Sequence, residues 1–231
     1  MSSSPPHDVL IAGGGLVGGT LALALAGEGM AVALIDARPE GSPPDARAYA
    51  LGIASRRLLA ALGLWERVRE RAQPILSIRV ADGRPGEAPS PLGLLFDHAE
   101  AEDGPMGHMV EDRDLRPALD AALLEAGVEV VRGSVVRQET GPSVVEAVLG
   151  DGRSLQARLL VGCDGRGSGT ARRAGIRRSE AGYGQAAVTV TIRHERPHGG
   201  TAAQVFLPMG PLAVLPLAGG RSSIVWSTGE A

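Results

Sequence analysis

Three glycines and one carboxylate near the start of the chain have types and spacing that suit the binding of phosphate and ribose. Gly13, Gly15 and Gly18 follow the pattern G-x-G-x-x-G, and Asp36 comes 23 residues after the first of them. Glycine permits a tight turn at the first position, close approach of backbone to a pyrophosphate at the second, and close packing of helix on strand at the third. A carboxylate at Asp36 is placed to accept hydrogen bonds from a ribose diol. The pattern therefore predicts a dinucleotide site.

The elements that must position these residues occur in the required order. Val9–Ile11 is a short apolar run that fits a buried strand, and Leu16–Ala26 is an Ala- and Leu-rich segment that fits a helix. A second apolar strand, Ala31–Ile35, ends on Asp36. Residues 9–27 carry no charge and are long enough to span a membrane. The glycines at the turn and the acids that close the segment favour a strand–turn–helix unit over a membrane helix.

Composition bounds the class of protein. A hydrophobic content of 44% with 21% charged residues is ordinary for a globular core. The formal charge of −3 argues against a nucleic-acid partner, because such binders usually carry a basic patch. The 23 Lys and Arg residues are all arginine, so a given arginine is weaker evidence of function than usual. The single cysteine, Cys163, excludes an internal disulfide and fits a cytoplasmic protein, and no metal-ligand cluster is visible.

A run of short strands leads to a second glycine turn. A helix that Asp114 caps or opens comes first, ending near Gly127. The strands that follow predict a small antiparallel meander, with segments at 128–131, 134–139, 143–149 and 154–161. The last strand delivers the chain into a turn where Asp164 and Gly165 offer a second place to set an acid against a cofactor. An ordinary Asp-Gly turn is the alternative interpretation.

Two further regions show strand patterns. Between the first unit and the helix, Ile75–Val80 alternates as a strand, and Glu100–Asp103 forms an acidic turn. From Tyr183 onward four alternating segments have hairpin-like spacing, at 185–194, 203–207, 212–217 and 222–226. They predict a second, mostly antiparallel sheet. The predicted fold class is α/β, with a Rossmann-like domain and β-meander beside this sheet.

Several motifs together resemble one family over essentially the whole chain. The more specific ones are Arg47-Ala48-x-Ala50-Leu51, Leu62-Gly63-Leu64-Trp65 and Gly162-Cys163-Asp164-Gly165-x-x-Ser168. The most branch-specific ones are Tyr183-Gly184-Gln185, the run from Gly210 to Leu217, and Ile224-Val225-Trp226. With the glycine stretch, they resemble the FAD-dependent aromatic hydroxylases of the p-hydroxybenzoate hydroxylase fold, in the branch of the ubiquinone-biosynthesis hydroxylases.

The resemblance implies which residues hold the cofactor. The FAD pyrophosphate would lie against Gly13, Gly15, Leu16, Val17 and Gly18, and the adenosine ribose against Asp36. The resemblance places Arg47 along the ribityl side and Arg113 near the phosphates. In this family the Asp-Gly motif serves both FAD and the transient NAD(P)H. That role would fall to Asp164 and Gly165.

The resemblance also implies the domain organisation. A discontinuous FAD-binding domain would comprise residues 1–74 and 109–177, and a substrate-binding sheet domain residues 75–108 and 178–231. Family members carry a later Gly-Asp-Ala-Ala-His type motif that holds the ribityl phosphate, and this sequence stops before one. We therefore expect a partial enzyme with an incomplete sheet domain, weak FAD binding and a tendency to aggregate.

The chemistry implied by the resemblance is that of a flavin monooxygenase. In a complete enzyme of this family NAD(P)H would reduce tightly bound FAD, O₂ would add to give a C4a-hydroperoxide, and its distal oxygen would attack a polyprenylated phenolic ring. Because the substrate is lipid-like, we expect peripheral association with the inner membrane or with a biosynthetic complex. No catalytic residue is assigned, since His108, His194 and His198 are candidates for a general base by type alone.

Two departures from the family pattern and two alternatives accompany this interpretation. Asp112 stands where these enzymes often have asparagine, and Ala171 stands where an arginine is usual. One alternative is another FAD enzyme on the same scaffold, such as a prenyl-chain reductase or a halogenase, although the tryptophan-rich halogenase signature is missing. The other is a non-catalytic module that only binds a nucleotide.

Overall fold

A computed structural model describes residues 7–43, 45–88, 90–100 and 104–229. Three residues of the predicted acidic turn, 101–103, lie outside the described residues. The chain divides into two compact units, Met1–Pro44 with Arg116–Ser179 and Asp45–Leu115 with Glu180–Ala231. The predicted cofactor and substrate domains are defined by the ligands that they would bind, whereas these units are defined by contacts within the chain. The predicted domains therefore stay a prediction.

Strands and helices alternate in the first half of the chain and strands dominate the second half. In chain order they are β1 (His7–Ala12), α1 (Leu16–Gly27), β2 (Val32–Asp36), β3 (Ala48–Leu51), α2 (Ile53–Ala61), α3 (Trp65–Val68), β4 (Gln73–Ile75), β5 (Ser77–Asp82), β6 (Gly93–Asp97), β7 (Gly107–Glu111), α4 (Asp112–Glu125), β8 (Glu129–Arg132), β9 (Val135–Thr140), β10 (Val145–Leu149), β11 (Ser154–Gly162), α5 (Gly169–Arg173), β12 (Gln185–Arg193), β13 (Thr201–Leu207), β14 (Gly210–Leu217) and β15 (Arg221–Gly229).

The first unit is built on a six-stranded sheet with the order β8-β2-β1-β11-β10-β9. The first four of these strands run parallel, and β11, β10 and β9 form an antiparallel meander. The prediction that the segment 128–131 belongs to the meander is wrong, because as β8 it pairs parallel with β2 at the other end of the sheet. The last four residues of β1 and all of β2 are buried, as expected for continuous apolar runs in a parallel sheet. Helix α1 contacts β1 and β2 and joins them as a βαβ crossover.

Helix α4 presents the apolar stripe that its sequence predicts. Leu115, Leu119, Ala122 and Leu123 are all buried. The helix begins at Asp112, two residues before the predicted start at Asp114.

The early start of α4 has a cause that lies outside the local sequence. The Asp112 carboxylate is fully buried and accepts hydrogen bonds from the Asp45 backbone N–H at 2.9 Å and the Tyr49 hydroxyl at 2.8 Å. Its own backbone N–H donates to the Arg47 carbonyl at 2.9 Å. A carboxylate is an acceptor only, so it suits this place, where both partners donate.

The second unit contains a six-stranded sheet with the order β12-β15-β14-β13-β5-β6 and a three-stranded sheet with the order β3-β7-β4. The four late strands pair antiparallel as predicted, whereas β13 pairs parallel with β5. The single strand predicted at Ile75–Val80 is divided between β4 and β5, because the Leu76 backbone N–H donates to the Gly200 carbonyl. A small core of Ile75, Met109, Ala202 and Leu217 lies in this unit.

Across the ranges that the structure describes, none of the helices combines the length and the apolar character required to cross a bilayer.

Candidate cofactor site

The carboxyl ends of three adjacent parallel strands bring the predicted residues of the first unit to one edge of its sheet. Gly13 follows β1, Asp36 ends β2, and Asp164 follows β11. Strand β1 lies between the other two, and the Cys163 backbone N–H donates to the Ala12 carbonyl at 2.7 Å. In open α/β sheets the crevice outside the carboxyl ends of the strands is where ligands bind.

The glycine turn after β1 has little room for side chains at the first and third glycines of the G-x-G-x-x-G pattern, Gly13 and Gly18. Gly13 has φ +116°, and a Cβ there would stand 2.2 Å from the Cys163 carbonyl oxygen. A Cβ on Gly18 would stand 1.9 Å from the Gly13 carbonyl oxygen. Both positions therefore require glycine for the close approach of turn, strand and helix that the spacing predicts.

Gly15 differs, because a Cβ on it would meet no atom within 4 Å. It is the N-cap of α1 and makes no side-chain capping bond. The first amides of a helix have no intrahelical partner, and the helix dipole favours an anion there. Leu16 and Val17 supply two of these amides. The open space and the donor set fit a diphosphate.

Asp36 is buried, with 4% of its surface exposed, and is held by two arginines. Its Oδ1 accepts from the backbone N–H of Arg38 at 3.0 Å, and its Oδ2 accepts from Arg38 Nη2 at 2.8 Å and from Arg132 Nη1. Burial raises the pKa of Asp36, but the hydrogen bonds and charge of Arg38, together with the charge of Arg132, outweigh it and hold the pKa below its ordinary value of 3.8. The carboxylate is therefore ionised at neutral pH.

Asp164 is bound within its own turn. One carboxylate oxygen accepts from the Ser168 hydroxyl, and the other accepts from the backbone N–H and the hydroxyl of Thr170, both at 2.9 Å. Burial raises the pKa of Asp164, yet these hydrogen bonds outweigh it, so the pKa lies below its ordinary value. Gly165 is exposed and has φ +80°. The carboxylate shapes the start of α5, and the exposed backbone of the turn is what it presents outward.

Arg47 and Arg113 belong to the second unit, and each pairs with an acid two residues before it. Arg47 Nε donates to Asp45 Oδ2 at 2.7 Å, and Arg113 Nη2 donates to Glu111 Oε2 at 2.9 Å. Both side chains are more than half exposed. Exposed pairs of this kind contribute little to stability, so both guanidiniums can exchange partners readily. Their roles toward a cofactor stay predictions.

Three further residues of the first unit lie beside the turn and Asp36, although the predicted motif did not include them. A Cβ on Gly14 would stand 2.3 Å from the Asp36 Cγ, so the carboxylate lies directly on this backbone. Arg38 Nη2 donates to the Gly14 carbonyl at 3.2 Å as well as to Asp36. Arg132 ends β8 beside Asp36. The run of three glycines was the available signal for Gly14; Arg132, far away in sequence, had none.

The three candidate histidines of the second unit each have structural partners. Burial and the charge of Arg56 lower the pKa of His108, whose ring stands edge-on to Trp65 at 4.9 Å. His194 Nε2 bonds the Ser222 hydroxyl at 2.9 Å, and His198 Nε2 donates to the Leu217 carbonyl at 3.0 Å. These contacts account for the histidines as packing and turn residues, and no general base is assigned.

Comparison with known proteins identifies the family. Residues 6–227 match the FAD binding domain family. Ubiquinone hydroxylase UbiL of Rhodospirillum rubrum is 47% identical over 232 residues, covering 98% of this chain and 53% of that protein. The 3-demethoxyubiquinol 3-hydroxylase of Escherichia coli is 35% identical over 233 residues, covering 97% of this chain and 58% of that protein. The chain thus spans about half the length of these relatives.

Solved structures share the fold at lower identity. The p-nitrophenol 4-monooxygenase PnpA from Pseudomonas putida superposes with a TM-score of 0.82 at 21% identity, over 98% of this chain and 59% of that one. Klebsiella pneumoniae HpxO, solved with FAD and uric acid, gives a TM-score of 0.79 at 20% identity, over 97% of this chain and 57% of that one. These confirm the predicted fold class, and the family match confirms FAD as its cofactor. The chain belongs to the FAD binding domain family, and it has the p-hydroxybenzoate hydroxylase fold.

Proposed function

We propose that this chain forms the FAD-binding part and part of the substrate-facing sheet of a monooxygenase that hydroxylates a polyprenylated phenolic ring in ubiquinone biosynthesis. The observation that carries the proposal is the open glycine turn after β1, with the ionised Asp36 at the end of the adjacent strand. The names of the two relatives, a ubiquinone hydroxylase and a demethoxyubiquinol hydroxylase, support the choice of substrate class.

The residues of the chain would divide the cofactor between them. The amides from Gly15 to Gly18 would hold the diphosphate, and Asp36 would accept from the adenosine ribose. Arg47 would serve the ribityl side and Arg113 the phosphates, with the turn at Asp164 and Gly165 available to FAD and to transient NAD(P)H. FAD, when bound, supplies the redox chemistry with NAD(P)H and O₂. The protein's part is to bind and orient the ring and to exclude water.

The substrate is expected to meet residues 75–108 and 178–231. This region contains the second, mostly antiparallel sheet, one face of which exposes Val188, Val190 and Ile192. A lipid-like phenol would be drawn from a membrane surface, and we include peripheral membrane or complex association in the proposal. Flotation of the protein with liposomes that contain anionic lipid tests this part separately.

The decisive experiment follows the flavin through three steps. FAD is titrated into the purified chain, the bound flavin is mixed with NADH or NADPH without oxygen, and the whole protein is then given a prenylated phenol with isotope-labelled O₂. We expect binding, loss of the oxidised flavin absorbance, and one labelled oxygen in the product.

Each failure has its own meaning. Bound flavin that no nicotinamide reduces would favour a non-catalytic nucleotide-binding module. Reduction without oxygen transfer would favour another FAD oxidoreductase, such as a prenyl-chain reductase. Failure to bind FAD would contradict the proposal itself.

A further inference from the structure

The Asp36 carboxylate has no acceptor capacity left. Oδ1 accepts from the backbone N–H of Arg38 at 3.0 Å and from Arg38 Nε at 3.3 Å. Oδ2 accepts from Arg38 Nη2 at 2.8 Å and from Arg132 Nη1. An ionised carboxylate has about four lone-pair sites. Four donors fill them, so a ribose hydroxyl can bind only if one donor leaves.

The two arginines differ in how easily each can leave. Arg38 supplies three of the four donors, and its Nη2 also donates to the Gly14 carbonyl at 3.2 Å. Arg132 supplies one donor, and within the described part of the chain its guanidinium makes this single contact. Its side chain is 44% exposed, against 33% for Arg38. Releasing Arg132 costs less than releasing Arg38, because Arg132 supplies one donor rather than three and its guanidinium is the more exposed.

We propose that Arg132 is an internal placeholder for the cofactor's ribose: its Nη1 occupies the Asp36 Oδ2 acceptor site that a ribose hydroxyl takes, and binding of the adenosine diol displaces it. This inference rests on the proposed function, because it takes Asp36 as the ribose acceptor. Arg38 stays in place and keeps the carboxylate against Gly14. Arg132 thereby has two effects. It stabilises the ionised carboxylate before the ligand binds, and it competes with the ligand for Oδ2.

The test compares the affinity for ADP, the half of FAD that reaches this site, in three forms of the chain. Arg132→Gln removes the competitor. Arg158→Gln is the matched control, because Arg158 is an exposed arginine of β11 that bonds Asp8, near the amino end of β1. Calorimetry with ADP and with its 2′,3′-dideoxy analogue measures how much the ribose diol contributes to the affinity. We expect Arg132→Gln to bind ADP about two- to five-fold more tightly, because one half-exposed guanidinium no longer competes, with no gain for the dideoxy analogue.

Several results would overturn the placeholder. One is equal or weaker ADP binding by Arg132→Gln while the native chain binds ADP, which would make Arg132 a positioning residue for Asp36. Another is a gain that persists with the dideoxy analogue or appears in Arg158→Gln, since the effect would then be one of overall charge. If neither the native chain nor the variants bind ADP or FAD, the proposed function fails together with this inference. Circular dichroism of each variant confirms that a lost affinity is not lost folding.

Discussion

At the scale of single residues, the glycines of the first turn differ in what a side chain would meet. A Cβ at Gly13 would overlap the Cys163 carbonyl, and one at Gly14 would overlap the Asp36 side chain. A Cβ at Gly18 would overlap the Gly13 carbonyl. The fold therefore requires glycine at these three positions. Gly15 has open space around it and an ordinary φ of −71°, so its lack of a side chain has no structural cause within 4 Å. A phosphate that approaches its backbone, as proposed for this turn, would supply one.

A substitution at Gly15 therefore separates binding from folding. We expect Gly15→Ala to fold and to bind FAD about ten-fold more weakly, because the methyl group stands between the phosphate and charge-assisted amide hydrogen bonds. Gly27→Ala is the control, since Gly27 ends the same helix and also has open space. Fluorescence titration with FAD measures the affinities, and thermal melting checks the fold. Equal affinity in the two variants would contradict a phosphate at this turn.

The ion pairs of Asp36 make stability depend on pH. Its pKa in the folded chain lies below the ordinary value of 3.8, so the ionised form is the stabilising one. The contribution is complete above about pH 4 and is lost as pH falls from there through the lowered pKa. At neutral pH we expect Asp36→Asn to cost about 2 kcal/mol, because charged hydrogen bonds to Arg38 and Arg132 are lost.

Urea unfolding at a series of pH values between neutral and strongly acid tests this expectation. The difference in unfolding free energy between the native chain and Asp36→Asn should shrink as the acid limit is reached. Glu28→Gln, at an exposed acid after α1, serves as the control and should leave the profile unchanged. A constant difference at all pH values would show that Asp36 acts through packing rather than charge.

At the scale of elements, one ion pair joins β7 to β15 within the second unit. Arg221 donates to both oxygens of Glu111 at 3.0 and 2.6 Å, whereas Arg113 donates to one of them. The Arg221 side chain is 19% exposed and that of Arg113 is 55% exposed. Hydrogen bonds from Arg221, the largest influence, lower the pKa of Glu111, with Arg113 adding to the effect against burial. Because of their geometry and burial, the two arginines should contribute differently to the free energy of unfolding.

The two arginines can be compared directly because they share one acceptor. We expect Arg221→Met to cost about 2 kcal/mol of unfolding free energy, since it breaks a partly buried bidentate pair. Arg113→Met should cost less than about 0.5 kcal/mol, as exposed pairs do. Chemical denaturation of both variants measures the costs. Equal costs would mean that burial does not determine the strength of this pair.

At the scale of the whole molecule, the edge strand β12 is exposed along its entire length. Val188, Val190 and Ile192 lie on one face, where Val190 pairs in register with Ile224 of β15. Thr191 lies on the opposite face of the same strand. An exposed apolar sheet face beside an open edge favours self-association.

We expect Val190→Lys to reduce self-association of the chain, because the charge interrupts the apolar face. Thr191→Lys adds the same charge to the other face and should have a smaller effect. Sedimentation velocity over a range of protein concentrations compares the two variants with the native chain. If both lysines act equally, the association runs through the strand edge rather than through its apolar face.

The first βαβ unit and the apolar stripe of α4 could be predicted from sequence because their causes are local. Turn glycines, a 3.6-residue period and apolar runs all act within a few turns of chain. For the same reason the position of Asp36 at the end of β2 followed from its spacing. The prediction of FAD as the cofactor, and of the family, came from the resemblance of motifs, because hydrophobic periodicity does not specify a ligand.

The tertiary structure decided which partners each of these residues meets. Arg132 reaches Asp36 from 96 residues away because β8 lies next to β2, and Asp112 starts α4 because Asp45 and Tyr49 donate to it. The Asp164 carboxylate turns toward Ser168 and Thr170 within its own loop. Sequence alone determined the strand–turn–helix and its acid, since local propensity and spacing carry that information. The hydrogen-bond partners of the acid depend on which strands lie side by side, and only the folded sheet fixes that.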